Sequence, residues 1–259
     1  MSKADNLHNP AAVKPKARES IHKTTLDWFG QRERGKVLDV PAGYGHLSLK
    51  LKEMGFEVTC GEIEPEIFKL PDLNCVYTDL SEKIDAPDSS FDYTCCVDGL
   101  EHVANPFRAV EEIARVLKPG GYALFSIPNY ANIEKRLKFL WHGYLTKPVS
   151  REKFERHGKK LFNLHISPIT VTLLDFILGI NNLEIVEIKE NAPKKKQYVL
   201  LPLVLLLKLV DSFSSDHRKK KHRTDLTLHR KVILGGNNLI LITRKKQGVT
   251  GIISRCRIP

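Results

Sequence analysis

The chain has 259 residues, 42% apolar and 27% charged, a balance that fits one globular α/β domain with insertions and excludes a low-complexity or fibrous chain. Its formal charge is +11, and residues 190–231 alone hold eleven Lys/Arg against four Asp/Glu, so the excess marks a local surface. Residues 1–16 are polar with no apolar run, which predicts no secretory signal, and the cysteines (Cys60, Cys75, Cys95, Cys96, Cys256) show no metal spacing, so a reduced, cytoplasmic compartment is expected.

Residues 1–17 read as a flexible arm before a domain spanning 18–246, with a tail at 247–259. Within 18–29, Ile21, Thr25 and Trp28 recur at helical spacing, so this segment is expected to pack on a sheet. Residues 37–40 read as a buried strand. A glycine turn follows, then Leu47, Leu51 and Met54 at helical spacing as far as Gly55, then a second strand ending at Glu62. Residues 75–77 and 92–97 supply strands three and four. Asn105-Pro106 carries a cap residue and a proline at the first helical position, with Phe107, Val110, Ala114 and Leu117 on one face and a favourable Glu111–Arg115 pair. Lys118-Pro119-Gly120-Gly121 is expected to end that helix before a fifth strand at 122–127. Residues 183–189 and 239–243 supply the sixth and seventh. Strands alternating with helices predict a doubly wound, seven-stranded, mostly parallel sheet. Long insertions at 130–168 and 190–231 interrupt the pattern and are candidates for function.

The stretch Val37-Leu38-Asp39-Val40-Pro41-Ala42-Gly43-Tyr44-Gly45, with Glu62 one βαβ turn later, is the first half of a nucleotide-binding sheet. A dinucleotide pyrophosphate needs an uncharged turn and a bare helix N-terminus. Asp39, at the end of the first strand, would repel it. S-adenosylmethionine carries an ammonium and a sulfonium, and a carboxylate beside glycines suits such a cation.

Taken together, VLDVPAGYG at 37–45, Glu62, Asp79-Leu80, FDYTCCVDGLEHVANP at 91–106 and ARVLKPGGYALFSIPN at 114–129 make the chain similar to class I S-adenosylmethionine-dependent methyltransferases. The match runs from about Lys36 to Arg244. The Pro-Ala at 41–42, where a glycine is usual at 41, resembles a bacterial subgroup associated with surface-glycan and lipid-linked substrates. The resemblance implies a Rossmann-like methyltransferase fold, with Asp39, Pro41, Ala42, Gly43 and Gly45 lining the methionine moiety. It implies Glu62 on the ribose hydroxyls, Ile63 on the adenine, and Asp79 and Leu80 at the adenine edge, though Asp79 also reads as a turn acid before Ser81. Asp98 and Gly99 would sit near the sulfonium.

Methyl transfer requires in-line alignment and, for a hydroxyl acceptor, removal of a proton. His102, just after the fourth strand, is the candidate general base; it reads equally as a residue ordering the next helix. Asn129 and Tyr130 follow the fifth strand and are expected to contact the acceptor. Ile127-Pro128-Asn129-Tyr130 has the wrong order and place for the Asn-Pro-Pro-Tyr box of amino-group methyltransferases, which favours a hydroxyl acceptor: a glycan, a lipid-linked molecule or a small molecule. His142, Tyr144, His157 and His165 could form a lid over it, and His165-Ile166-Ser167-Pro168 resembles a segment of the glycan-associated subgroup. With no metal-ligand spacing along the chain, no metal is expected.

Residues 198–210 are thirteen mostly aliphatic residues between Lys194-Lys195-Lys196 and Arg218-Lys219-Lys220-Lys221-His222-Arg223. As a helix they reach roughly 20 Å, short of the ~30 Å a membrane span needs. An interfacial helix on an anionic membrane surface fits, each flanking charge adding about 1 kcal/mol. So does a helix packed into the domain or a dimer interface. The basic clusters could instead contact RNA, but they lack interleaved aromatics, and the apolar run has no use on nucleic acid. The oligomeric state is not legible.

Overall fold

The structure is a computed structural model, and it describes residues 13–192 and 194–247. Most of the expected arm and tail therefore lies outside the described residues, as does Cys256. The chain order is α1 (Glu19–Phe29), β1 (Lys36–Asp39), α2 (His46–Glu53), β2 (Glu57–Glu62), β3 (Cys75–Tyr77), β4 (Phe91–Val97) and α3 (Pro106–Val116). There follow β5 (Leu117–Pro128), α4 (Ile133–His142), α5 (Arg151–Arg156), α6 (Val171–Ile180) and β6 (Leu183–Asn191). The second insertion forms α7 (Leu201–Ser212), α8 (Asp216–His222), α9 (Thr224–Thr227) and α10 (Arg230–Ile233) before β7 (Asn238–Lys245).

The seven strands form one sheet in the order β3-β2-β1-β4-β5-β7-β6. All neighbours pair in parallel except β7, which runs antiparallel to both β5 and β6. Period-two alternation puts a core on each face. Cys96, Phe125, Leu239 and Leu241 face α3 and α6. Cys95, Leu124, Ile240 and Ile242 face α1 and α2, where Trp28 packs edge-on against Phe29, Tyr93 and Tyr122. The seven-stranded, mostly parallel architecture expected from the sequence is the one observed.

Three local expectations need correction. Helix α3 does start at Pro106 with the Asn105 side chain accepting from the Arg108 amide at 3.1 Å. Its buried stripe, however, is Ala109, Val110, Ile113 and Ala114; Phe107, in the first turn, is exposed. Arg115 pairs with Glu112 (2.7 Å), not Glu111, because buried Glu112 also holds the Ile84 amide and the guanidinium donates to the Ile84 and Ala86 carbonyls. Glu111 pairs with Arg108 instead. Finally, residues 118–121 are taken into β5, which begins at Leu117, and the register shift falls between Phe91 and Tyr93 on β4.

The apolar run splits the two readings offered for it. Val204 is buried with Ile133, Ile233 and Leu234, and Leu200, Leu203 and Leu207 pack against that cluster. Leu205, Leu206, Leu209 and Val210 face outward, and Phe213 is 83% exposed. Among the described residues, no helix is long and apolar enough to cross a membrane.

Candidate functional site

The strand order reverses between β1 and β4, and at such a switch point the crevice beyond the carboxyl ends of the strands is where ligands bind in open α/β sheets. A cavity of about 990 Å³ lies there, walled by Asp39 after β1, Glu62 after β2, Val97 and Asp98 after β4, and Pro128 after β5.

On the β1 side the backbone is shaped for close approach. Gly43 and Gly45 have φ of 57° and 90°, and a Cβ on Gly45 would lie 2.7 Å from the Leu70 side chain. Asp39 is buried and accepts from the Ser48 hydroxyl at 2.5 Å. Burial, aided by the nearby Glu62 charge and opposed by the Ser48 hydrogen bond, pushes its carboxyl up to about 7. Glu62 Oε2 accepts from the Gly43 amide at 2.7 Å, and Oε1 from the Ile63 amide at 3.0 Å. Pro41, Ala42, Gly43, Ile63, Asp79, Leu80 and Gly99 also line the cavity; Gly45 is not among the lining residues but shapes the turn. Asp79 Oδ1 accepts from the Ser81 amide at 2.7 Å, so it is a turn acid while facing the cavity. Across the crevice, a Cβ on Gly99 would lie 2.5 Å from Pro41 Cδ. The buried acid, the open glycine turn and the further carboxylates suit a cationic nucleoside ligand.

Beyond Gly99 the wall changes character. Asp98 has a left-handed φ of 46°, and its Oδ1 accepts from the Ser126 hydroxyl and from Asn238 Nδ2. Burial raises its carboxyl above the usual range. Glu101 is 2% exposed, and its Oε2 has no hydrogen-bond partner. Burial, with the Asp98 charge beside it, pushes its carboxyl up to about 8. His102 Nδ1 lies 3.0 Å from the Leu164 carbonyl, and the ring stands edge-on to His165 at 4.7 Å. Burial, reinforced by His165, pushes the His102 imidazole down to about 4, which keeps it neutral at ordinary pH. The donor atoms of Glu101, His102 and His165 all lie within 4.8 Å of one another. The expectation of no metal rested on spacing along the chain; the fold brings His165, from the end of the first insertion, to the adjacent pair Glu101 and His102.

The remaining expected site residues divide. Tyr130, His157 and His165 line the cavity. Asn129 does not: it is buried, donates to the Val232 and Gly236 carbonyls and accepts from the Ala131 amide, so it anchors the chain after β5. His142 and Tyr144 stack on each other at 5.4 Å and are not in the wall. Sequence reasoning missed Lys16, Arg18 and His22, although the supposed arm reaches the site: Val13 is buried, and its carbonyl lies 2.8 Å from His46 Nδ1. It also missed Glu101, whose only signal was its place beside His102.

Residues 13–187 match the family described as "Methyltransferase domain". The chain is 28% identical over 181 residues to a ubiquinone biosynthesis O-methyltransferase of Erwinia tasmaniensis, covering 58% of this chain and 74% of the relative. It is 32% identical over 157 residues to the enzyme of that name from Xanthomonas oryzae, covering 57% of this chain and 64% of the relative. Among solved structures it resembles a SAM-dependent methyltransferase from Archaeoglobus fulgidus (TM-score 0.53, 18% identity, 88% of this chain and 95% of that one). A Methanosarcina mazei SAM-dependent methyltransferase overlays with a TM-score of 0.51 at 17% identity, covering 90% of this chain and all of that one (100%). At these identities the structural likeness speaks for the fold alone.

Proposed function

The chain belongs to the methyltransferase-domain family and is an S-adenosylmethionine-dependent methyltransferase, and we propose that it methylates the hydroxyl of a small, apolar or lipid-linked acceptor. The observation that carries this reading is the wall beyond β4, where a carboxylate and two imidazoles adjoin the cofactor end of the cavity. Such groups can receive or stabilise the charge of a hydroxyl losing its proton. The names of the ubiquinone-pathway relatives, which are O-methyltransferases, support the same class.

In this reading Asp39 would attract the ammonium group of the cofactor, and the glycine turn would admit its methionine end. Glu62 would hold the ribose hydroxyls with its remaining lone pairs, and Asp79, Leu80 and Ile63 would enclose the adenine. The bound cofactor supplies an electrophilic methyl group on a positively charged sulfur. The chain's part is to orient, exclude water and take charge from the acceptor. Tyr130 and His165 would border the acceptor. A His102 held well below its ordinary range is a weak proton acceptor by itself, so the cluster, rather than His102 alone, is assigned to the acceptor oxygen.

The surface beside the cavity supports an apolar acceptor. Helix α4 carries Lys135 in the cavity wall and, further along, Leu140 and Trp141 at 83% and 85% exposure. It shares its buried Ile133 with α7, whose outer leucines are bare. Lys195 and Lys196, ahead of α7, and Lys208 within it are exposed, while Lys194 is tied to Glu134 and Arg223 to Asp175. An apolar face with cationic flanks matches an anionic lipid surface.

The test is transfer of label from S-[methyl-³H]adenosylmethionine to lipid, glycan and RNA fractions, followed by chemical typing of the product. Label in a lipid-extractable, alkali-stable ether supports the reading. Label in RNA, or only in methylated amines, overturns it.

A further inference from the structure

We propose that Glu101, His102 and His165 form a binding site for one divalent transition-metal cation, of the zinc, cobalt or manganese class, facing the cavity beyond β4. The role assigned to the cation, receiving the acceptor's hydroxyl oxygen, rests on the hydroxyl-acceptor reading. The site itself does not.

Four observations converge. The three donor atoms lie within 4.8 Å of one another. Bonds of about 2.0–2.2 Å to a shared ion bring donors about 3–4 Å apart, so only a small side-chain closure is needed. Glu101 is 2% exposed with Oε2 unpartnered, and a buried carboxylate oxygen without a donor or cation is costly. His102 Nδ1 faces the Leu164 carbonyl at 3.0 Å, and with the proton on Nδ1 it is Nε2 that carries the lone pair. That is the carbonyl support that metal-ligating histidines commonly have.

The fourth observation concerns how His165 gets there. The Ile166 and Ser167 amides both donate to the Glu101 carbonyl, at 3.0 and 3.1 Å, and the Ser167 hydroxyl donates to the Val103 carbonyl at 2.6 Å. The end of the first insertion is thus laced to the turn after β4, and the third ligand is held in place rather than presented on a free loop. A site so preorganised loses little freedom on taking an ion.

The donor set of two imidazoles and one carboxylate suits zinc, cobalt or manganese better than the all-oxygen shells of calcium or magnesium. Asp98 borders the same wall and adds negative charge, while Lys153 opposes it from the His165 side. Three protein ligands leave coordination positions open. There a cation would stabilise the acceptor oxygen as it gives its proton to water and forms its bond to carbon, the electron pair of the broken sulfur–carbon bond remaining on sulfur.

The experiment titrates Co²⁺ into chelator-stripped protein and follows its visible absorption, with Zn²⁺ competition and S-adenosylhomocysteine binding measured on the same samples. The expected result is one Co²⁺ per chain, displaced by Zn²⁺. His165→Ala should weaken it by at least the roughly 10–100-fold that loss of even an outer partner causes. His142→Ala, which changes a histidine outside the wall, should leave it intact. Retained S-adenosylhomocysteine binding shows that a variant is folded, and Glu101→Gln provides the second test if His165→Ala is not. No bound Co²⁺ or Zn²⁺ up to millimolar concentration, or binding unaltered in a folded His165→Ala or Glu101→Gln, overturns the site. Metal bound as expected by a protein that methylates no hydroxyl would instead overturn the acceptor reading and leave the site standing.

Discussion

Glu62, at the end of β2, accepts the Gly43 amide hydrogen at 2.7 Å, so the acid after the second strand braces the glycine turn after the first. Its other oxygen holds the Ile63 amide. Glu62→Ala is therefore expected to weaken S-adenosylmethionine binding by about 1–3 kcal/mol, the cost of stranding partners of a buried charged group, and to lower Tm as the turn loosens. Isothermal titration and thermal denaturation read the two effects. Unchanged affinity would remove Glu62 from the site.

Binding of the cationic cofactor should depend on pH through Asp39. Burial, with Glu62 nearby, places its ligand-free pKa at about 7. The anionic form attracts an ammonium group, so affinity should be level above that value and decline below it, by up to about tenfold per pH unit. Binding near pH 7 should also release a proton, seen as a buffer-dependent heat. Affinity that is flat from pH 6 to 8 would contradict this role.

His22 contributes a stability term of its own. Burial, aided by His46, pushes it down to about 4 from 6.5. The folded-state value lies below the unfolded one, so the unfolded chain takes the proton first as pH falls. Stability is thus lost between pH 6.5 and 4, with no further loss from this group below 4. A His22→Gln variant should show a flatter Tm profile across that window; an unaltered slope would exclude His22 as its source.

Gly99 and Pro41 touch across the switch point, and a Cβ on Gly99 would meet Pro41 Cδ at 2.5 Å and Cys96 Sγ at 2.9 Å. Gly99→Ala should cost about 1–3 kcal/mol through overpacking and should weaken cofactor binding, because both residues line the cavity. Chemical denaturation measures the first effect and titration calorimetry the second. Wild-type values for both would mean that the contact yields freely.

The lipid-surface reading predicts co-sedimentation with anionic vesicles in preference to neutral ones. Leu205→Asp puts a charge on the exposed face of α7 and should reduce it, as should neutralising Lys219, Lys220 and Lys221. Indifference of vesicle binding to Leu205→Asp, with the lysine variant impaired, would point to a purely electrostatic surface such as one for RNA. A stable dimer that Leu205→Asp dissociates would make the bare leucines a subunit interface.

What could be read from the chain alone was local and periodic. Alternating strand residues, the helical spacing of Ile21, Thr25 and Trp28, and the Asn105-Pro106 start sufficed for the sheet and most of its helices, because short-range sterics and capping act within a few residues. The β1 end of the cavity was legible for the same reason: Asp39, the glycine turn and Glu62 belong to one βαβ unit, and their spacing carries their geometry. The wall beyond β4 was not. His165 reaches His102 only because the insertion is laced to the turn after β4, and Asn129, which reads as a ligand residue, is consumed by carbonyls from the segment just before β7. Nor could hydropathy say which leucines of α7 pack on Ile133 and which stay bare, since the unbroken run Leu203–Leu207 puts apolar residues all round that part of the helix. Those outcomes depend on which distant segments arrive beside a residue and which of its polar atoms they satisfy, and only the tertiary structure decides that.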